Sequence, residues 1–470
     1  MTAAARLSPV ALLVAGAFFM ENLDGTVIAT ALPAMAASFG TTAPALAIGM
    51  TAYLLTLAVF IPASGWAADR FGARRVFMVA MAVFTLASIL CGISETRWQF
   101  TLARIAQGCG GALMVPVGRL VVLRGTAKAD LLRAVATLTW PALVAPVLGP
   151  PVGGFITAYA SWRWIFFLNV PLGLIGLVLA YVLIHDSAAP VPRPFDLRGF
   201  VLNGVALASL LFAFEQMAHG DWHAGGGWTG LLALGASAAV GWLALRHARR
   251  HAHPLVGFGA FAVPSFRSAM VGGFVSRVCI STLPFLLPLL FQVGLGFDPF
   301  VAGLFVLWYG LTNIGIKPWT STILRRWGFR GVLWRNTLVN AAAIGACAFI
   351  GPTTNWGLAA ALLAVAGACR SMQFTSLNAL AFADIPSGQM AAANTLFNTG
   401  FQAAIGMGIA LGAVLLRAGQ AVGGGAVGGS GVAPFRAAFL FTALLALVPL
   451  LSFLRLRPEA GATVTGHRTA

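Results

Sequence analysis

Two carboxylates three residues apart are the first residues in the chain whose types and spacing could do chemistry. Glu21 and Asp24 lie in FFMENLDGTVIATALP, an otherwise apolar stretch. Spacing of i, i+3 puts both on one helix face, with Asn22 and Thr26 close by in sequence. An ionisable residue at mid-span in a membrane costs about 2.5–3.5 kcal/mol on the gentler insertion scale, so it must face a cavity or a partner. Two carboxylates this close repel when both are ionised, which favours one of them holding a proton. A carboxylate that exchanges a proton within the membrane is the component a proton-coupled carrier needs. The competing reading is a structural hydrogen-bond cluster that ties this helix to a neighbour.

Arg104 and Gln107 repeat the i, i+3 spacing, followed by the small run Gly108, Cys109, Gly110, Gly111 and Ala112. A buried guanidinium needs an acceptor, and the Glu21–Asp24 pair can supply one. Small residues let another helix approach closely. Further on, WPALVAPVLGPPVGGF sets Pro141, Pro146, Pro150 and Pro151 beside Gly149, Gly153 and Gly154. Proline removes helical hydrogen bonds and glycine permits bending and tight contact, so this helix suits a pivot or a seal. GWAADRFGARR carries Gly65, Asp69, Arg70, Gly72, Arg74 and Arg75 in a short charged turn. In the second half the in-span cations are Arg277, Lys317 and Arg370, the last followed by Gln373, Ser376 and Asn378. They can hold an anionic substrate group or pair with carboxylates. Candidate substrate contacts are Asn22, Gln107, Arg277, Arg370, Gln373 and Asn378.

The elements that must position these residues are membrane helices. Of 470 residues 59% are hydrophobic and 9% charged, against roughly 25% charged in an ordinary soluble domain. Mean hydropathy is +0.88. These values exclude a soluble globular protein and a disordered one. A span needs about 20 apolar residues, and that window finds fourteen, near 10–32, 46–66, 76–94, 98–122, 134–158, 163–184, 199–218, 228–246, 268–294, 299–323, 332–351, 356–382, 391–416 and 434–454. The net charge of +17 sits in short gaps between spans, with no basic face interleaved with exposed aromatics, so no nucleic-acid partner is expected. With the N-terminus in the cytoplasm, 21 of the 29 Lys and Arg fall on the inner side and 4 outside. That is a strong positive-inside bias, and it puts both termini in the cytoplasm.

Two composition shifts divide the chain. The proline-rich HDSAAPVPRPFDLR and the basic RHARRHAHP bracket spans seven and eight. The expected organisation is a six-helix bundle over 1–185, a linker and two-helix insert over 186–254, and a second six-helix bundle over 255–470. VGGGAVGGSG at 422–431 reads as a flexible outer loop. Cys91, Cys109, Cys279, Cys347 and Cys369 lie in apolar runs without CxxC spacing, as packing residues. His247, His251 and His253 sit in a basic loop and no metal or cofactor is assigned. No GxxxxGK[ST], HExxH or GxSxG occurs, so neither ATP hydrolysis nor another enzymatic activity is expected.

Taken together these residues resemble the major facilitator superfamily, specifically its 14-span drug:proton antiporter branch. LDGTVIATALP is similar to the branch signature, GWAADRFGARR to the inner-loop motif between spans two and three, and RIAQGCGGA to the span-four motif. VLGPPVGG resembles the span-five antiporter motif, and WRWIFFLNVPLG is typical of the branch. Order and spacing match over the first 175 residues and more loosely beyond. The resemblance implies an all-α major facilitator fold, with two six-helix bundles around a central cavity working by alternating access. It implies Asp24 as the proton-binding carboxylate with Glu21 beside it and Arg104 as its modulator. It further implies Gly65, Asp69, Arg70, Gly72, Arg74 and Arg75 as inner gate and latch, and Pro146, Gly149, Pro150, Gly153 and Gly154 as the antiporter hinge. The sequence departs from the pattern at Glu21, an added acid, and around TILRRWGFR, where the second inner loop lacks an Asp. The expected function is proton-coupled export of lipophilic or cationic drugs across a bacterial-type inner membrane by a monomer. The alternative is export of an organic anion, citrate-like or a metal–citrate complex, toward which the in-span cations lean. A membrane-embedded enzyme and a non-transporting receptor or scaffold are the remaining readings.

Overall fold

In hydrocarbon each backbone N–H and C=O must be satisfied within its own segment, so apolar runs of this length have to be helical. In the computed structural model all regular structure among the described residues is helical. Those residues are 9–124, 131–184, 194–219, 226–251, 254–386, 389–422 and 431–461.

Helix α1 (Pro9–Val27) runs through a single 3-10 turn, Ile28–Thr30, into the short α2 (Leu32–Ser38). Helix α3 (Ala43–Phe71) ends at Gly72, whose φ of 88° turns the chain directly into α4 (Ala73–Ile93). Helices α5 (Arg97–Arg124), α6 (Leu131–Tyr159), α7 (Trp164–Phe167) and α8 (Asn169–Leu183) follow. Helices α9 (Leu197–His219) and α10 (Gly226–Arg250) pack on each other, and α9 also lies against α3 and α15. Helix α11 (Pro264–Leu289) runs on into a π turn and is followed by α12 (Pro299–Gly315), α13 (Lys317–Cys347) and α14 (Trp356–Ala383). The last three are α15 (Met390–Val422), α16 (Ala433–Leu445) and α17 (Leu450–Leu454).

Eleven helices among the described residues are long and apolar enough to cross a membrane, or twelve if the bent pair α12 and α13 is one span. The sequence windows give fourteen. The difference has local causes. The described apolar part of α6 is the shorter run Val144–Tyr159. The windows at 299–323 and 332–351 meet a 55° bend between α12 and α13 and a second break inside α13 at Gly328, with φ 63° and ψ 170°. The linker residues 186–193, and 423–430 of the glycine-rich loop, lie outside the described residues.

Buried apolar residues form two cores at one end of the molecule, one shared core at the other, and a small cluster of Leu55, Ala58 and Ala403 between α3 and α15. One core joins α1, α3, α4 and α5 through Phe77, Met81 and Phe84. Another joins α11, α13, α14 and α15 through Phe266, Phe329 and Phe397. The shared core takes Val27 to Met50, Phe100 and Phe166 from the first eight helices and Leu283 to Phe291, Val306, Ile344 and Phe439 from the last seven. The outer faces of α8 and α10 leave Ile175, Val178, Val182, Trp228 and Leu232 exposed. An apolar belt of that extent belongs against lipid rather than water.

Candidate functional site

The first polar cluster is built where α1, α4, α5 and α8 converge. Asp24 on α1 is 1% exposed and Arg104 on α5 is 1% exposed. Arg104 Nη1 donates to Asp24 Oδ2 at 2.6 Å. Asp24 Oδ1 accepts from Gln107 Nε2 at 3.0 Å and from Asn169 Nδ2, at the start of α8, at 2.9 Å. Gln107 Nε2 also donates to Ser88 Oγ on α4 at 2.7 Å, and Gln107 Oε1 accepts from Arg104 Nη1 and from Cys91 Sγ. The Arg104 guanidinium lies 4.1 Å from the centre of the Tyr53 ring on α3. A single carboxylate thus ties α5 and α8 to α1 through charge-assisted and neutral hydrogen bonds, and Gln107 extends the cluster to Ser88 on α4. The glycines of α5 make this approach possible. A Cβ at Gly108 would meet Tyr53 O and Thr56, and one at Gly110 would meet the backbone of Ala80 and Phe84.

Glu21, one turn before Asp24, is placed differently. Its Oε2 is buried without a hydrogen-bond partner, and so is the Tyr53 hydroxyl. Both border the space beside Gly111, whose Cβ would lie 3.4 Å from Glu21 Cδ and 3.4 Å from the Tyr53 oxygen. Asn22 donates to Phe18 O in its own helix at 2.8 Å. It is not engaged with the cluster.

In α6 the proline-rich run stays helical throughout. Its buried glycines are contact points. A Cβ at Gly149 would overlap the Thr26 side chain, one at Gly153 the Val27 carbonyl, and one at Gly154 the Pro299 carbonyl at the start of α12. Reciprocally, a Cβ at Gly303 on α12 would overlap the Pro150 carbonyl. Pro146 is half-buried on the same helix. Beside this seam Gln292 Nε2 donates to Thr30 O at 2.9 Å.

The expected charged loop is helical except at one residue: Gly65, Asp69 and Arg70 end α3, Gly72 makes the turn with its positive φ, and Arg74 and Arg75 begin α4. Gly65 faces open space, and Arg70 and Arg75 are exposed. Asp69 is half-buried. Arg74 donates to Tyr181 O at 2.6 Å and stacks on the Tyr181 ring at 4.9 Å. It therefore fastens α4 to α8.

Arg277 on α11 is 2% exposed. It makes no ion pair or hydrogen bond among the described residues, and its Nε and Nη2 are buried without partners. Its charge faces the rings of Phe401, Phe397 and Phe374 at 4.1, 4.5 and 5.5 Å. Arg370 on α14 is half-buried, 5.3 Å from the Phe374 ring and 3.4 Å from the Tyr309 hydroxyl. Gln373 donates to Ser276 Oγ at 3.2 Å and accepts from Asn336 Nδ2 at 2.7 Å. Asn378 is exposed and donates to Phe374 O in its own helix.

Sequence reading missed Asn169, Ser88, Tyr53, Asn336 and Ser276. A lone Asn inside WRWIFFLNVPLG was the available signal, since a buried amide must find partners. It also missed Asp196, which brings His247 and His251 within 4.8 Å of one another and of its own carboxylate. Asp196 is 4% exposed, accepts from Gly199 N at 2.9 Å and pairs with His247 Nε2 at 2.7 Å. Burial pushes its carboxyl up. Bonds from the Gly199 N–H, His247 and the Leu255 N–H outweigh burial and hold it below the usual carboxylate range. His253 lies outside the described residues.

Residues 14–410 match the Major Facilitator Superfamily. The chain is 37% identical over 408 residues to a Salmonella paratyphi B protein named multidrug resistance protein MdtD, covering 86% of this chain and 85% of that one. The Salmonella typhimurium relative of the same name gives the same figures. Among solved structures the fold is similar to a D-xylose–proton symporter, with TM-score 0.68, 14% identity, and 96% and 98% of the two chains covered. It is also similar to the human organic anion transporter MFSD10, with TM-score 0.61, 16% identity, and 95% and 99% covered. At these identities the likeness to solved structures is one of fold.

Proposed function

The chain belongs to the major facilitator superfamily, and from that premise we propose that it exports lipophilic small molecules across a bacterial-type inner membrane in exchange for protons. A member of this family is a multi-pass membrane transporter and not an enzyme. Its substrate is a small molecule. The proton-coupled, exporting part of the reading rests on the Asp24–Arg104 pair with the unpartnered Glu21 beside it. A buried ion pair whose acid gains a proton loses its attraction and leaves the guanidinium uncompensated. Protonation in this cluster is thereby coupled to how α1, α4, α5 and α8 pack. Inward proton flow supplies about 2.3 kcal/mol per charge per 100 mV. The relatives named for multidrug resistance support lipophilic cargo, cations included.

The full architecture in this reading has fourteen spans with both termini cytoplasmic, in a monomer. Splitting α13 at Gly328 gives α12 with the first turns of α13 as one span and Phe329–Cys347 as the next. The full length of α6 supplies another. Residues 1–185 and 255–470 are then the two six-helix bundles, and α9 with α10 form the insert within 186–254.

A second reading, export of an organic anion, is favoured by one observation, the buried and unpaired Arg277. Proton release on substrate addition in detergent tests both. The probes are tetraphenylphosphonium and citrate, with wild type, Asp24→Asn and Glu21→Gln. Release with the cation, lost in both variants, is expected for drug:proton exchange. A signal with citrate alone, removed by Arg277→Ala, sinks the drug reading in favour of the anion one.

A further inference from the structure

The two ends of the chain repeat one arrangement with one charge missing. Arg104 and Gln107 stand three residues apart on α5, and Arg370 and Gln373 stand three apart on α14. Each glutamine bridges two other helices. Gln107 reaches Asp24 on α1 and Ser88 on α4. Gln373 reaches Ser276 on α11 and accepts from Asn336 on α13. Each arginine lies against a tyrosine, Arg104 on Tyr53 and Arg370 on Tyr309. The difference is at the first helix of each set. Where α1 presents Asp24 to the glutamine, α11 presents Ser276, and the next residue is a second cation, Arg277.

The second cluster therefore holds two guanidiniums and no carboxylate among the described residues that touches either. The Phe374, Phe397 and Phe401 faces attract the Arg277 charge, but they offer no acceptor for its buried Nε and Nη2. Arg370 Nε and the hydroxyls of Ser371, Ser376 and Thr399 are likewise buried without partners. Open buried donors on Arg277 and Arg370, which flank the one Phe374 ring, describe a site built for an acceptor that arrives from outside the chain.

We propose that this cluster is a carboxylate-accepting substrate site, in which the anionic group of a ring-bearing amphiphile does at Arg277 and Arg370 what Asp24 does at Arg104. The proposal rests on reading the chain as a small-molecule carrier and names the cargo more closely. Three phenylalanines and two cations favour one acidic group on an apolar ring body. A tricarboxylate can meet the two cations but leaves the three rings unused, so a ring-bearing monocarboxylate should bind more tightly.

The test uses the full chain in detergent, with binding of 2-naphthoate and of its uncharged counterpart 2-naphthylmethanol measured by calorimetry. Expected is naphthoate binding at least about tenfold tighter than the alcohol, lost in Arg277→Met and weakened at least about tenfold in Arg370→Gln. Arg277→Met should also melt at a higher temperature than wild type, because it removes an uncompensated buried charge. A merely structural arginine would give a lower melting temperature. Ser276→Asp keeps both arginines and installs the missing acid, so it too should abolish naphthoate binding while raising the melting temperature. Equal binding of acid and alcohol, or unchanged naphthoate binding in Ser276→Asp and Arg277→Met, overturns the proposal. If tetraphenylphosphonium-driven proton release survives while naphthoate fails to bind, this site is refuted and the carrier reading stands. If both fail, the carrier reading falls with it.

Discussion

The difference between Glu21 and Asp24 lies in their partners. Asp24 accepts three hydrogen bonds from three residues, while Glu21 Oε2 has none. Asp24→Asn leaves Arg104 charged and buried without a counter-ion, a change that costs roughly 3–5 kcal/mol. Glu21→Gln removes no hydrogen-bond partner and keeps the shape, so it should cost much less than Asp24→Asn. Thermal unfolding in detergent should therefore separate the two, with Asp24→Asn melting well below wild type and Glu21→Gln much closer to it. Equal losses would mean that Glu21 has a partner in the membrane. Both carboxylates, Arg104 and Gln107 were nameable from spacing alone, because i, i+3 pairs share a face and charge in an apolar run stands out. Asn169 was not, since it reaches Asp24 across 145 positions and a neutral amide carries no charge signal. Nor could sequence tell that Gln107, a candidate substrate contact, spends its hydrogen bonds inside the Asp24 cluster.

At the scale of elements the glycines of α6 decide how closely helices meet. A Cβ at Gly153 or Gly154 meets a backbone carbonyl, of Val27 or Pro299, that has no rotamer to yield. Each Gly→Ala there should cost about 1–3 kcal/mol by overpacking. Gly16→Ala on α1, with nothing within 4 Å, should gain about 0.5–1 kcal/mol from helix entropy. Opposite shifts of melting temperature are the expected outcome, and a gain at Gly154 would show that α6 and α12 do not meet there. The α9–α10 pair carries a pH dependence. The Asp196 carboxyl is held below its usual range, so the stability it lends is present above its unfolded value, near 4, and is lost as pH falls through its folded value. Amide protection at Leu197–Phe200, measured against the intrinsic exchange rate at each pH, should fall on acidification over that window. In Asp196→Asn the protection should already be low at neutral pH and no longer change with pH. The motif GPPVGG was legible as a special helix, but its service as a contact surface required α12, more than 140 residues later. The breaks at Ile316 and Gly328 were hidden because hydropathy averages over a window longer than the turns that interrupt it.

The whole molecule is joined through a large shared core at one end and has separate cores at the other, the asymmetry that the proposed alternating access needs. The shared core, the Gln292–Thr30 bond and the glycine-to-carbonyl seam between α6 and α12 all lie at the end where α1 finishes. The separate cores lie at the opposite end. Hydropathy and charge give an expected count and direction of the spans, but no sequence signal gives this state, because both conformations of a carrier share one sequence. In the proposed orientation the fused end faces outward, so the described conformation is closed to the outside. Thr30 is fully buried within that seal. With the five free cysteines replaced, Thr30→Cys should react slowly with an impermeant maleimide added outside. Gly303→Leu drives a side chain into the Pro150 carbonyl and weakens the seal, so it should speed that labelling about tenfold, equivalent to about 1.4 kcal/mol of shifted population. If Thr30→Cys labels quickly from outside without Gly303→Leu, the resting protein is open where this conformation is closed. If it labels only from the cytoplasmic side, the orientation inferred from arginine placement is inverted.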